Sequence, residues 1–479
     1  MVTLAGYGGV MRTGGPLSSE APSGPAQTPG AVVLAHASSS SPQVGATRVT
    51  RTAREDAEQL LLAPGATRSR GAGDRAVPEE PDPLRTCFER DRDRILHSSA
   101  FRRLAGKTQV FVFPLDHQRT RLTHALEVAQ VATAVARATG LNVALTEAIA
   151  LGHDCGHGPG GHASEDAFSP YLPNGYNHAL WGADVTLAPL NLCAETLDGV
   201  RHHSWALPSP ATPEGAVVSW ADRCAYCAHD LEDAAGVGIV DLDDLPPAVT
   251  DVAGRSRATQ LRCFIGALVD GIVETGEIGM RQPYAGALAA LRDFNYERIY
   301  TRPRSIAQGQ AVVAVLQGLV EYYAANPDKM PASLSRVTVG DAGGGEAGGG
   351  GEAGGLGVGA GGGEAGGLGV GAGGGEAGGL GVGAGGGEAE GGREAGERGA
   401  GAGESGAARG VRAGSVPGGS GSTAGGSGAG AGEADLAVRR AITYVSGMTD
   451  RFAFSTAVRL LGWPVERLPR GVDAPVSAL

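Results

Sequence analysis

His153 and Asp154 stand side by side in Leu-Gly-His-Asp-Cys-Gly-His, with His124 upstream and Asp222 downstream. Neighbours on a helix point about 100° apart, so both can reach one ion only if it lies beside the helix that carries them. Further ligands must then come from other helices. His124 sits in a stretch where Leu122, Leu126, Ala129, Val131 and Ala132 recur at helical spacing, and Asp222 opens the helical Ala-Asp-Arg-Cys-Ala-Tyr-Cys-Ala-His-Asp-Leu-Glu-Asp. The chain must therefore pack helices around a shared pocket whose two imidazoles and two carboxylates suit a divalent cation with open positions for water and a phosphate oxygen. A lone histidine or a capping aspartate is commoner than a ligand. The dyad, however, ends an unusually apolar run, where an unpaired carboxylate is costly.

Much of the 479-residue chain offers no such core. From Asp341 to Glu433 it is nearly all Gly, Ala, Glu and Ser, with a twelve-residue unit that puts Glu352, Glu364, Glu376 and Glu388 in register. One Leu and one Val per unit cannot offset the entropy of ordering so many glycines, so a flexible, mildly acidic linker is expected over 341–433. The first eighty residues, rich in Pro, Ser, Gly and Ala, are read as a disordered tail over 1–80, with Glu55 to Leu62 as a brief helical stretch. The folded parts are then a body over 81–340 and C-terminal helices over 434–479 that pack back on it. Loop-closure entropy grows only with the logarithm of length, so a long insertion costs little.

Within the body the signals are helical and the expected class is all-α. Arg90 to Leu104 carries a buried stripe of Ile95, Leu96, Ala100, Phe101 and Leu104, and Lys107 to Phe113 alternates as a short extended segment. The His124 helix should stop at Gly140, and Val143 to Cys155 should be the central helix. Gly-His-Gly-Pro-Gly-Gly at 156–161 breaks it beside the pocket. Further helices are expected over 190–204, 217–234, 256–275, 285–298, 305–325 and 436–462. No βαβ pattern and no G-x-x-x-x-G-K-[ST] word occurs, so phosphate chemistry here is metal-based.

A formal net charge of -12 argues against broad nonspecific nucleic-acid binding. Six scattered cysteines read as small buried thiols. Cys224 and Cys227 form a C-x-x-C one helical turn apart, with no second pair at zinc-finger spacing, and are expected to be core. Of 39 basic residues only Lys107 and Lys329 are lysine, so the ammonium in Gly-Lys-Thr-Gln is expected to serve a purpose, with phosphate as a candidate partner. The start lacks a basic n-region followed by an apolar h-region, and no apolar run is long enough to span a bilayer. No membrane association and a cytoplasmic location are expected.

The words around the four residues follow one order: Phe101-Arg-Arg-Leu-Ala-Gly-Lys-Thr-Gln-Val110, Arg119-Thr-Arg-Leu-Thr-His124, His153-Asp-Cys-Gly-His-Gly-Pro-Gly-Gly-His162 and Ala221-Asp-Arg-Cys-Ala-Tyr226. They resemble the HD-domain superfamily and, within it, the deoxyguanosine triphosphate triphosphohydrolase-like (dGTPase-like) family. The resemblance runs from about Asp82 to Ala325 and resumes at Tyr444-Val-Ser-Gly-Met-Thr-Asp-Arg-Phe-Ala453. It implies a helical HD body and a divalent metal, Mg²⁺ or Mn²⁺, on His124, His153, Asp154 and Asp222. It implies hydrolysis of deoxynucleoside triphosphates (dNTPs) to deoxynucleoside and triphosphate. Catalytic roles fall on His162, Glu165 and His178, the i, i+3 spacing of the first two letting the carboxylate orient the imidazole. Gln109 falls near the sugar and Arg121 on phosphate. Tyr226 and Asp230, aligned with Asp222 at i+4 and i+8, fall on sugar and 3′-hydroxyl. His157 is read as supporting or as a helix-end contact.

Two departures bear on base specificity: the family's Pro-Pro-Phe-Gly-His turn is Gly-Pro-Gly-Gly-His here, and His178 is followed by Ala-Leu-Trp rather than Asn-Ala-Gln. Relatives are commonly homo-oligomers with effector sites for nucleotides or single-stranded DNA. Two readings compete: another HD-type phosphohydrolase, such as a nucleotidase or cyclic-nucleotide phosphodiesterase, and a non-catalytic nucleotide- or single-stranded-DNA-binding module.

Overall fold

A computed structural model describes residues 44–115, 117–331 and 428–471, with side chains from 433 in the last stretch. Its helices are α1 (Arg51–Leu61), α2 (Cys87–His97), α3 (Ser99–Arg103), α4 (Arg121–Thr139), α5 (Val143–Gly152), α6 (Ala163–Phe168), α7 (His178–Trp181), α8 (Ala194–His202), α9 (Pro213–Gly236), α10 (Pro247–Ala253), α11 (Arg257–Thr275), α12 (Tyr284–Asn295), α13 (Pro303–Ala325), α14 (Gly428–Ser446) and α15 (Asp450–Leu461). Among the described residues the only extended pairings are two isolated bridges, Arg75 with Cys193 and Thr108 with Thr120. The all-α class therefore holds, while the extended segment expected at 107–113 shrinks to the single bridge at Thr108. No described helix is long and apolar enough to cross a membrane.

The centre is α4, α5 and α9, packed pairwise, with α2 and α8 laid against α5 and α11 against α9. Local chemistry explains their ends. Asn142 starts α5 by accepting the Leu145 N–H, and Thr212 starts α9 by accepting the Gly215 N–H, ahead of Pro213 at the first helical position. Gly140 stops α4 in left-handed backbone, as its position in the sequence predicts. Leu145, Ala148, Ile149, Ala150 and Leu151 of α5 are at most 2 % exposed. Burying each larger aliphatic contributes about 1.5–3 kcal/mol, so this apolar face anchors the helix whose end carries His153 and Asp154.

Two expectations shift. The single helix read over 90–104 is broken at Ser98, whose hydroxyl caps α3 by accepting the Phe101 N–H at 3.1 Å. A competent capping side chain overrides a continuous apolar stripe. The boundary of the tail at residue 80 also falls too late, because 51–80 is ordered. Glu58 accepts from the Ser69 N–H at 2.6 Å and from its hydroxyl at 2.9 Å. Arg75 meets Asp91 at 2.6 Å, both side chains at most 1 % exposed. Asp91 in turn accepts from the Cys193 N–H and the Thr196 hydroxyl. This segment is held by a fully bonded buried ion pair, which a reading of hydrophobic pattern does not register. Residues 1–43 and nearly all of the linker expected at 341–433 lie outside the described residues.

The segment expected as 436–462 forms two helices, α14 and α15. Ala441, Ile442, Val445, Ala453, Phe454 and Ala457 share one buried cluster with Val312, Leu316 and Val320 of α13.

Candidate functional site

α4, α5 and α9 bring the four predicted ligands together. His124 lies in the first turn of α4, His153 follows α5 with its backbone still helical, and Asp222 is mid-way along α9. His124 Nε2 is 3.0 Å from Asp222 Oδ1 and 3.9 Å from Asp154 Oδ2, and His153 Nε2 is 3.7 Å and 3.5 Å from the same atoms. Donors bonded to one cation at about 2.0–2.2 Å stand at about such separations from one another. His153 Nδ1–H donates to the Ala150 carbonyl at 2.6 Å, which leaves its Nε2 lone pair aimed inward, buried and without a partner. The donor set therefore fits a divalent cation, and His153 is the hub of two overlapping groups, one with His124 and Asp154 and one with His203 and Asp222.

The charges agree. Burial alone raises the Asp154 carboxyl, but Arg121, His153 and His157 outweigh it and hold it well below the usual range. Burial likewise opposes ionisation of Asp222, which the His124 hydrogen bond and the neighbouring histidines reverse. For His124, burial favours the neutral ring and Asp222 outweighs it, raising its pKa. Arg121, 1 % exposed, donates to Asp154 Oδ2 at 2.6 Å while its Nε and Nη2 have no partner.

A second wall faces this quartet. The turn at 156–161 passes so close to His178 and Gly182 that a Cβ on Gly156 would overlap their backbones. His157 is 1 % exposed, stacks on His178 at 3.7 Å between centroids, and sets Nε2 3.2 Å from Asp154 Oδ1, which leaves Nδ1 without a hydrogen bond. His162 opens onto the cavity at the start of α6. Enclosure by the walls, then the charges of Arg121 and His178, lower its pKa. The i, i+3 pairing expected of Glu165 with His162 is not what forms: Glu165 Oε1 takes a short hydrogen bond from His178 Nδ1. The one-turn helix α7 points His178 at that carboxylate, so helical spacing alone misassigns the partner.

His203, which sequence reading missed, completes the wall. Its Nδ1–H donates to the Val200 carbonyl at 2.8 Å, so the Nε2 that meets His178 Nε2 at 3.1 Å is an acceptor. Burial, then His153 and His178, push His203 down to about 3, in line with a neutral ring. In the sequence it is one of two adjacent histidines at a helix end, with nothing to distinguish it from His202.

Asp222, Tyr226 and Asp230 line one cavity of about 520 Å³ together with Gln109, Arg121 and Tyr300. Asp230 Oδ2 accepts from the Tyr300 hydroxyl at 2.5 Å, and its Oδ1 is buried without a partner, as is Gln109 Oε1. Burial raises the Asp230 carboxyl to about 7. Arg223 and Arg292 add two further guanidinium groups to the walls, the first 3.6 Å above the Trp205 ring. Lys107 does not join them. Its ammonium is buried and donates to the carbonyls of His157 and Ser446, which corrects the expectation of a phosphate contact. Cys224 and Cys227 are free buried thiols, as their spacing predicts.

Comparison with known proteins bears on the same residues. The HD domain model matches residues 121–227, which include all four converging side chains, and the phosphohydrolase-associated domain model matches 278–344. A deoxyguanosinetriphosphate triphosphohydrolase-like protein of Caldanaerobacter subterraneus subsp. tengcongensis is 40% identical over 294 residues, covering 60% of this chain and 86% of that protein. Proteins of the same description from Clostridium tetani and Desulfatibacillum aliphaticivorans are 37% and 40% identical over 300 and 304 residues, covering 59% and 58% of this chain and 86% and 85% of theirs. With its helical body, its converging histidines and aspartates and this extent of likeness, the chain belongs to the deoxyguanosinetriphosphate triphosphohydrolase-like family of metal-dependent HD phosphohydrolases.

Proposed function

We propose that the protein hydrolyses deoxynucleoside triphosphates at the α-phosphorus, releasing deoxynucleoside and intact triphosphate. The observation that carries this reading is the concentration of buried polar atoms without a hydrogen bond on one cavity: His157 Nδ1, Arg121 Nε and Nη2, Gln109 Oε1 and Asp230 Oδ1. Folded proteins rarely leave so many groups unsatisfied unless a ligand completes them. A divalent ion, Mg²⁺ or Mn²⁺, held by His124, His153, Asp154 and Asp222, supplies charge neutralisation and an activated water.

The chain's own groups do the rest. Arg121 holds phosphate oxygen with the N–H groups that Asp154 leaves free. Gln109 and Tyr226 flank the sugar, and Asp230 accepts the 3′-hydroxyl. His162, neutral in its enclosed position, takes the proton of the attacking water. His178, hydrogen-bonded to Glu165 and His203, gives a proton to the 5′ oxygen as the bond from that oxygen to phosphorus breaks. One water is consumed, one ester bond is lost, and solvent returns the proton from His162 to His178. A homo-oligomer with a nucleotide or single-stranded-DNA effector site belongs to the same proposal, and mass in solution with and without dNTP tests it. Activity on the nucleotide pool goes with a cytoplasmic location.

The deciding experiment is product identification with each of the four dNTPs in Mg²⁺ and in Mn²⁺. Deoxynucleoside plus triphosphate is expected. Monophosphate plus pyrophosphate, preference for a monophosphate or cyclic substrate, or tight binding without turnover each sinks the proposal.

A further inference from the structure

Asp450 lies in the first turn of α15, in the part of the chain that follows the glycine-rich segment, yet it is 4 % exposed and bonded to the cavity wall. Its Oδ1 accepts the Gly160 N–H at 2.8 Å. Its Oδ2 accepts the Thr108 N–H at 2.9 Å and the Thr108 hydroxyl at 2.5 Å. Beside it, the Lys107 ammonium bridges the carbonyl of His157 and, at 2.9 Å, that of Ser446. Thr108 and Gly160 both line the cavity, and His157 lies within the bonded turn while His162 directly follows it.

We infer that Asp450, working with Lys107, is a positioning residue that fixes the 156–161 turn and thereby the rings of His157 and His162. The inference rests on the functional reading above for its catalytic consequence but not for its geometry. Four glycines and a proline in six residues give this turn little preference of its own, and Gly160 is in left-handed backbone so close to Val312 that a Cβ would collide with it. A turn so free must be held from outside. Tyr176 holds the Gly156 carbonyl at 2.6 Å and Ser164 the Gly158 N–H at 3.0 Å. Ser164 also holds the Gly161 carbonyl, and Lys107 and Asp450 add the bonds to the carbonyl of His157 and the N–H of Gly160. A carboxylate serves here because it accepts on both oxygens at once. An amide has only one acceptor to divide between Gly160 and Thr108.

The test compares Asp450→Asn and Lys107→Met with the wild-type full-length chain by amide hydrogen exchange and steady-state kinetics. In both variants the peptide spanning 156–162 should exchange at least about tenfold faster while peptides from α4, α5 and α9 are unchanged. kcat should fall about tenfold or more with KM within about threefold, because the groups that hold substrate are not on the turn. Unchanged exchange of 156–162 in both variants overturns the inference. So does a rise spread evenly over all helices, or failure of both variants to accumulate as folded protein, since each assigns these residues to global stability. If the wild type hydrolyses no dNTP, the functional proposal falls while the exchange comparison still decides this one.

Discussion

The two walls of the cavity are built in opposite ways. His124, Asp154 and Asp222 sit on or next to α4, α5 and α9, helices of 19, 10 and 24 residues locked against one another. His157, His162, Glu165 and His178 sit on a glycine turn and on helices of six and four residues, too short to hold themselves. One wall inherits rigidity from core packing, and the other borrows it from hydrogen bonds made by distant parts of the chain. Placement on long helices suits ions that tolerate little displacement, and a turn fixed at a few points can be adjusted without rebuilding the core.

Four experiments can break or sharpen this contrast. The largest effect is expected for Asp154→Ala, which should lower both bound metal and turnover by at least about a hundredfold, more than loss of a supporting group costs, with the helical circular dichroism intact. Retained metal by elemental analysis would show that the rigid wall is not the ion site. Glu165→Gln should cost about 10²- to 10⁴-fold in kcat, the usual weight of a general acid and its partner, while metal content stays at the wild-type level. A parallel loss of metal would merge the two walls into one unit.

Phe454→Ala should lower unfolding free energy by about 3–5 kcal/mol in urea titrations, because Phe454 is 2 % exposed in the cluster that seats α15. A loss below about 1 kcal/mol would mean that α15 is not anchored there. The smallest shift is expected from Asp230. Burial raises its pKa from 3.8 to about 7, so the folded chain binds a proton that the unfolded chain has released between those values. Its contribution to stability is therefore lost as pH rises through that window. Asp230→Asn should be more stable than the wild type at pH 8 by on the order of 1–3 kcal/mol, the difference closing at about pH 4. Equal melting temperatures at pH 8 for the metal-free proteins would show that the carboxyl is not desolvated.

The same division separates what could be read from the residues and what could not. Helical periodicity located α4, α5 and α9, and the i, i+4, i+8 register of Asp222, Tyr226 and Asp230 put all three on the cavity. Those signals are local, and a helix transmits them over its full length. His203, Tyr300 and the pairing of Glu165 with His178 were not legible, because each depends on which short elements meet in space. Lys107 stood out as rare in an arginine-rich chain, yet its partners proved to be two backbone carbonyls, one of them 339 residues away.

By itself the sequence determined that this chain is helical and that three helices must bring two histidines and two aspartates to one place. Spacing along a helix is a property of neighbours, so it survives without knowledge of the fold. Only the tertiary structure decided which histidine faces Glu165, which residues hold the glycine turn, and that the first folded segment begins well before residue 80. Those outcomes rest on hydrogen bonds and a buried ion pair between remote segments, and such bonds leave no periodic trace in the order of residues.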